Sequence, residues 1–141
     1  MATPSRSMKK LSCIGVDGEI REYTVSISKC LPNICIEVEA ENVGAGKLEM
    51  ALMPEGELLW VKYIERPYTE PFVGRGVAET LIIELVMFFK KQLTSTSTYS
   101  ACGEYGRSES ATKMWKRLVA RSLALYDEVS DRFVTSIDIS S

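Results

Sequence analysis

The run Val73-Gly74-Arg75-Gly76-Val77-Ala78-Glu79-Thr80-Leu81-Ile82-Ile83-Glu84-Leu85-Val86-Met87-Phe88-Phe89 constrains the architecture more than any other part of the chain. Val77, Ala78, Leu81, Ile82, Leu85, Phe88 and Phe89 recur at three- and four-residue steps, the period of a helix with an apolar face. Glu79 in the first turn and Lys90 and Lys91 in the last suit the helix dipole. Ile83, Val86 and Met87 widen the stripe, which predicts a helix packed on a sheet and flanked by a further element. The glycines come immediately before it. Unpartnered N–H groups and the positive dipole end gather at a helix start, and glycine lets a ligand approach the main chain, so an anion such as phosphate is the favoured occupant. A simple tight turn accounts for two glycines equally well when they are taken alone.

Upstream, the pattern is that of strands. Leu11 to Val16 and Glu19 to Ser28 flank the turn signal Val16-Asp17-Gly18-Glu19 and predict a hairpin. After Pro32-Asn33, the residues Ile34, Ile36 and Val38 alternate with Cys35, Glu37 and Glu39, a strand with one wet face that Asn42 to Gly46 interrupts. Lys47 to Met53 and Leu58 to Ile64 flank Pro54-Glu55-Gly56-Glu57 as a second hairpin. The first ten residues lack periodicity and read as a mobile tail, residues 1–10, ahead of a single domain, residues 11–141.

Downstream of the helix, Thr94 to Ser100 is β-branched and small, a further strand. Ser108 to Arg121 is helical, with Ser108 or Ser110 as candidate N-cap and Ala111, Met114, Trp115, Leu118 and Val119 on its apolar face. Leu123 to Tyr126 and Arg132 to Ile139 read as strands around Asp127 to Asp131. The expected fold class is therefore α+β, a mostly antiparallel mixed sheet with two main helices.

Composition narrows the chemistry. The 141 residues carry 45% hydrophobic content and a net charge of -2, with no long basic run to attract nucleic acid or an anionic membrane surface. No apolar stretch approaches the roughly 20 residues that span a bilayer, and the chain reads as cytoplasmic. It has no histidine, which removes the usual general base, the Ser or Cys hydrolase triad and the commonest zinc ligand together. Cys13, Cys30, Cys35 and Cys102 lack zinc-site spacing, so no metal is expected, and reduced core thiols are the expectation. There is no Gly-Lys-Ser/Thr after the glycines, as a P-loop needs, and no parallel βα alternation from the start, as a dinucleotide fold needs.

Several antiparallel strands, a Gly-rich turn into a helix, one strand, a second helix and a terminal strand pair together resemble the Gcn5-related N-acetyltransferase family over residues 34–139. That family's coenzyme motif is Arg or Gln, two variable residues, Gly, one variable residue, then Gly or Ala. Gly76 and Ala78 occupy its last two fixed positions, Gly74 fits the frequent Arg-Gly-x-Gly form, and Val73 stands where Arg or Gln is usual, with Arg75 as a substitute contact. The register of residues 111–118 is similar to the family's Ala, three residues, Tyr, Glu, Lys, Leu, with Trp115 in place of the Tyr. In many members that Tyr returns a proton to the leaving thiolate, which indole cannot do. Trp115 reads as core, and Tyr99, Tyr105, Tyr126 or water are open alternatives as the acid.

The resemblance implies acetyl-CoA as co-substrate. Its pyrophosphate would meet Val73, Gly74, Arg75, Gly76, Val77 and Ala78, and its pantetheine would follow the strand ending near Ile64. Glu65, at that strand's end, is the candidate catalytic base for an acceptor amine, with Glu70 as a second candidate; a solvated carboxylate is the ordinary alternative for both. Family members place two helices between their first two strands, whereas residues 19–41 here read as strand, turn and strand. The resemblance thus implies an open acceptor side, suited to a protein or peptide amine. An inactive module that binds CoA or a partner protein is the competing expectation, and an interaction domain without a gap between the strands at Ile64 and Thr94 is a third. Homo-oligomerisation is left open.

Overall fold

In the computed structural model, which describes residues 6–14, 20–30, 32–40, 47–65, 76–97, 107 and 109–139, the alternating segments form five long strands. They are β1 (Arg6–Ile14), β2 (Ile20–Cys30), β3 (Asn33–Ala40), β4 (Lys47–Glu55) and β5 (Leu58–Glu65). Then come α1 (Val77–Phe89), β6 (Leu93–Thr94), α2 (Glu109–Ala120), β7 (Ala124–Asp127) and β8 (Arg132–Thr135). These strands make one sheet in the order β1-β2-β3-β4-β5-β6-β8-β7. Every neighbouring pair is antiparallel except β5 and β6, which α1 connects in parallel. The α+β class with a mostly antiparallel mixed sheet and two helices is as expected.

Alternation decides which face is buried. Leu11 and Cys13 of β1, Tyr23, Val25 and Ile27 of β2, Ile36 and Val38 of β3, Leu48, Met50 and Leu52 of β4, and Leu59 and Val61 of β5 all lie in the core. The registers Leu11↔Tyr23, Val25↔Val38, Ile36↔Met50 and Leu52↔Val61 put them on one face. There α1 packs, burying Val77, Leu81, Ile82, Leu85 and Val86 at helical spacing. At about 25 cal/mol per Å² of apolar surface removed from water, each such side chain contributes roughly 1.5–3 kcal/mol. The salt bridge Lys9–Glu84 at 2.8 Å joins α1 to β1, and Thr80 of α1 lies beside Cys13 of β1. Burial pushes the Cys13 thiol up to about 11, and the Thr80 contact opposes that rise.

The opposite face of β1–β5 is wet. It carries Lys10, Ser12, Glu22, Thr24, Ser26, Cys35, Glu37, Glu39, Lys47 and Glu49, and of its described side chains Ala51 alone is buried.

Most strand ends move by one or two residues from the sequence reading, as β2 to Cys30 and β4 to Glu55, and four boundaries differ in ways that matter to the fold. β1 begins at Arg6, so residues 6–10 belong to the sheet and pair with residues 24–28; an edge strand tolerates Ser and Lys without alternation because one side meets water. Lys90 is the C-cap of α1 in the left-handed region (φ 56), outside the last turn. β6 is two residues long where residues 94–100 were expected, and β8 stops at Thr135 instead of Ile139. In both places side chains take over the backbone's partners. Leu93 N donates to Thr135 Oγ1 at 2.8 Å, Thr94 Oγ1 to the Phe133 carbonyl at 3.0 Å, and Phe133 N to Ser95 Oγ at 2.9 Å. Gln92 then holds Ile137 through both its amide nitrogen and its amide oxygen.

Candidate functional site

Two irregularities fall on β5. Opposite β4 the register passes from Leu52↔Val61 to Ala51↔Tyr63, which leaves Lys62 as an extra residue, a β-bulge. Strict alternation would put Tyr63 and Glu65 on the buried face with Leu59 and Val61. The bulge reverses this: Ile64 shares the core face with its partner Met50, while Tyr63 and Glu65 turn to the wet face. The second irregularity is on the other side. β5 pairs with β6 only at Leu59↔Leu93 and Trp60↔Thr94. Beyond that point Ser95 N turns to the Phe133 carbonyl at 2.9 Å, and residues 61–65 continue alongside β4 alone among the described residues. The pairing of the two parallel strands thus ends there among the described residues, a parting of the ladder.

Gly76 occupies the N-cap of α1 with φ 65 and ψ 21, the left-handed conformation that glycine adopts without steric cost. No side chain caps this end. The first intrahelical bond runs from Thr80 N to the Gly76 carbonyl at 3.0 Å, so the amides of Val77, Ala78 and Glu79 have no intrahelical partner. Val77 sends its side chain into the core at 2% exposure and Ala78 packs half-buried, so only their backbones can face a ligand. Glu79 accepts from Arg117 Nε, and its other oxygen lies 3.7 Å from Arg121, which balances its charge at the dipole's positive end. Val73, Gly74, Arg75 and Glu70 lie outside the described residues, as do Tyr99, Tyr105 and Cys102.

Glu65 is exposed at the end of β5, directly across from Glu49, which in turn faces Glu37 on β3. Three carboxylates thus form a row across neighbouring strands, and Lys47 answers Glu37 at 3.1 Å. Like charges placed opposite one another cost stability unless a cation shares the strip. Among the described residues, no group of three or more Cys, Asp or Glu is arranged to hold a metal ion.

Trp115 is core, at 1% exposure and stacked on Phe133 with centroids 6.0 Å apart. Tyr126 donates to Asp131 Oδ1 at 2.6 Å, and that bond raises its pKa. It sits on β7, two strands beyond β6 in the sheet, away from the parting. Arg107, which no motif signals, is the most connected side chain nearby. Its side chain is 4% exposed, and its guanidinium donates to Thr112 Oγ1, to the Thr96 and Asp131 carbonyls and to Asp131 Oδ1, and lies 4.8 Å from the centre of the Phe133 ring. It fastens the chain after β6 to α2 and to the β7–β8 turn.

No helix among the described residues is long and apolar enough to cross a membrane. Comparison with known proteins yields no match to any family model, any curated protein or any solved structure.

Proposed function

We propose that this chain binds acetyl-CoA where β5 and β6 part and transfers the acetyl group to an amine arriving on the wet face of the sheet. The observation that carries the reading is the end of β5–β6 pairing at Trp60↔Thr94, in a crossover whose helix begins with an uncapped, left-handed Gly76. An uncapped helix start favours the coenzyme's pyrophosphate, which the amides of Val77 and Ala78 would bind together with Gly74, Arg75 and Val73. Where its pairing with β6 has ended, β5 would offer main-chain groups on that side to the amides of a pantetheine arm, the same pairing by which extended peptides add to sheet edges. Ile64 gives that arm an apolar neighbour.

The chemistry follows from the bulge. With Glu65 turned to the wet face, its carboxylate takes the proton of an acceptor ammonium, directly or through water. The amine nitrogen then attacks the thioester carbonyl, the carbon–sulfur bond breaks, and the thiolate takes a proton from Tyr99, Tyr105 or solvent, because the Trp115 indole cannot supply one and Tyr126 is remote. The row Glu37, Glu49 and Glu65 favours a cationic acceptor, and the absence of a helix over β2 and β3 among the described residues leaves room for a protein or peptide. A second reading, a module that holds CoA or a partner without turnover, draws on the burial of Trp115, which removes the acid that the resemblance leads one to expect.

Acetylation of a panel of small amines and lysine peptides, followed by mass spectrometry, separates the two. The enzyme reading predicts product that Glu65→Gln reduces about a hundredfold. Equal rates for the variant remove Glu65 as base, and coenzyme binding without any product selects the second reading.

A further inference from the structure

The expectation of core thiols holds for Cys13 and fails for the pair at the β2–β3 turn. Cys30 is exposed at the end of β2, and Cys35 is half-buried on β3. The register Ser28↔Cys35 and Cys30↔Asn33 places them on the same wet face as diagonal neighbours, with no other strand between them. Their side chains are within hydrogen-bonding reach of each other. Diagonal neighbours have Cα atoms about 7–8 Å apart, at the upper edge of disulfide geometry, so closing the bond draws the end of β2 toward β3, a small shift beside what two cysteines on opposite faces or remote strands would need.

We propose that Cys30 and Cys35 form a redox-active dithiol, oxidised to a disulfide by exchange with a low-molecular-weight disulfide. Their environments divide the labour. The Cys35 thiol is pushed up to about 11, first by its hydrogen bond with Cys30, then by burial and by the carboxylates of Glu37 and Glu49. Half-buried beside the exposed Cys30, it is the less accessible of the two to a small disulfide. Cys30, exposed, attacks one sulfur of the small disulfide, forming a mixed disulfide and releasing one small thiol. Cys35 then attacks the Cys30 sulfur, the mixed bond breaks, and the second small thiol leaves. The two cysteine protons end on the two released thiols, and the two electrons pass to the small disulfide. The product ties the β2–β3 turn on the wet face, in the same strand as Glu37.

The test is to incubate the reduced full chain with oxidised glutathione and follow the tryptic peptide 30–47, which carries both thiols. It should become two hydrogens lighter and resist alkylation until reduced. Cys35→Ser should stall as a glutathione adduct on residue 30, while Cys30→Ser should leave Cys35 reduced and open to alkylation. Thermal melts of the two variants establish that both are folded. A stable glutathione adduct in the unmodified chain, a disulfide linking either residue to Cys13 or Cys102, or first capture at Cys35 would each overturn the proposal.

Discussion

β1–β5 and β6–β8 belong to one sheet and are held together by different means. In β1–β5, strands of eight to eleven residues pair backbone to backbone, and a single buried stripe per strand meets α1. In β6–β8, strands of two and four residues are completed by side chains: Gln92, Thr94, Ser95, Thr135 and above all Arg107. A ladder distributes its stability over many replaceable bonds. A side-chain clasp concentrates it, because removing one partner strands several buried polar groups. The parting of β5 and β6 lies on the border between the two regimes, where the ladder ends and the clasp begins.

The largest effect should come from cutting the clasp. Arg107→Met should cost about 2–4 kcal/mol, since it removes the one donor that joins the Thr96 carbonyl, Thr112 and Asp131, with Ser95 Oγ still on the Thr96 carbonyl and Tyr126 still on Asp131 limiting the loss. Hydrogen exchange should accelerate in β6–β8 and leave β2–β4 protected. Uniform acceleration through both regions would mean that the distinction is false.

Next in size is the pH dependence set by Cys13 in the ladder region. Its thiol rises from the ordinary 9.0 to about 11 in the fold, so the unfolded chain loses this proton first. Stability from this group is therefore complete below pH 9 and declines toward pH 11, with a slope of at most about 1.4 kcal/mol per pH unit. Denaturant melts of Cys13→Val should lack that part of the alkaline decline; identical pH profiles would remove the burial argument for this residue.

Smallest is Lys9→Ala. The Lys9–Glu84 pair is more than a third exposed on both sides, so its loss should change the melt by under about 1 kcal/mol and less at high salt. A larger loss would show that α1 depends on the edge of β1 more than on its own apolar face.

The same division explains what the sequence made legible. Ile34, Ile36 and Val38, or Leu48, Met50 and Leu52, announce strands because each alternate side chain meets the core. Ser95 and Thr96 look like strand residues by type, yet the Ser95 hydroxyl accepts from Phe133 N and the Thr96 carbonyl accepts from Arg107, where a longer strand would have backbone partners. No pattern within a single segment could reveal that Arg107 would reach them. At the site, Gly76 and Ala78 mark the helix start in the sequence, but Lys62 gives no sign that it is the extra residue of a bulge. Alternation alone would have buried Glu65, and only the β4 register turns it outward. Cys30 and Cys35, five positions apart, become neighbours only once the β2–β3 register is known.

The most direct test of the account is a thermal melt of the purified chain with acetyl-CoA, CoA and ATP at matched ionic strength. A ligand at about 100 times its dissociation constant adds about 2.7 kcal/mol, which is several degrees for a domain of this size. The account predicts a rise with acetyl-CoA and with CoA and none with ATP. No rise with either coenzyme form would contradict it and leave the parting of β5 and β6 without the ligand assigned to it.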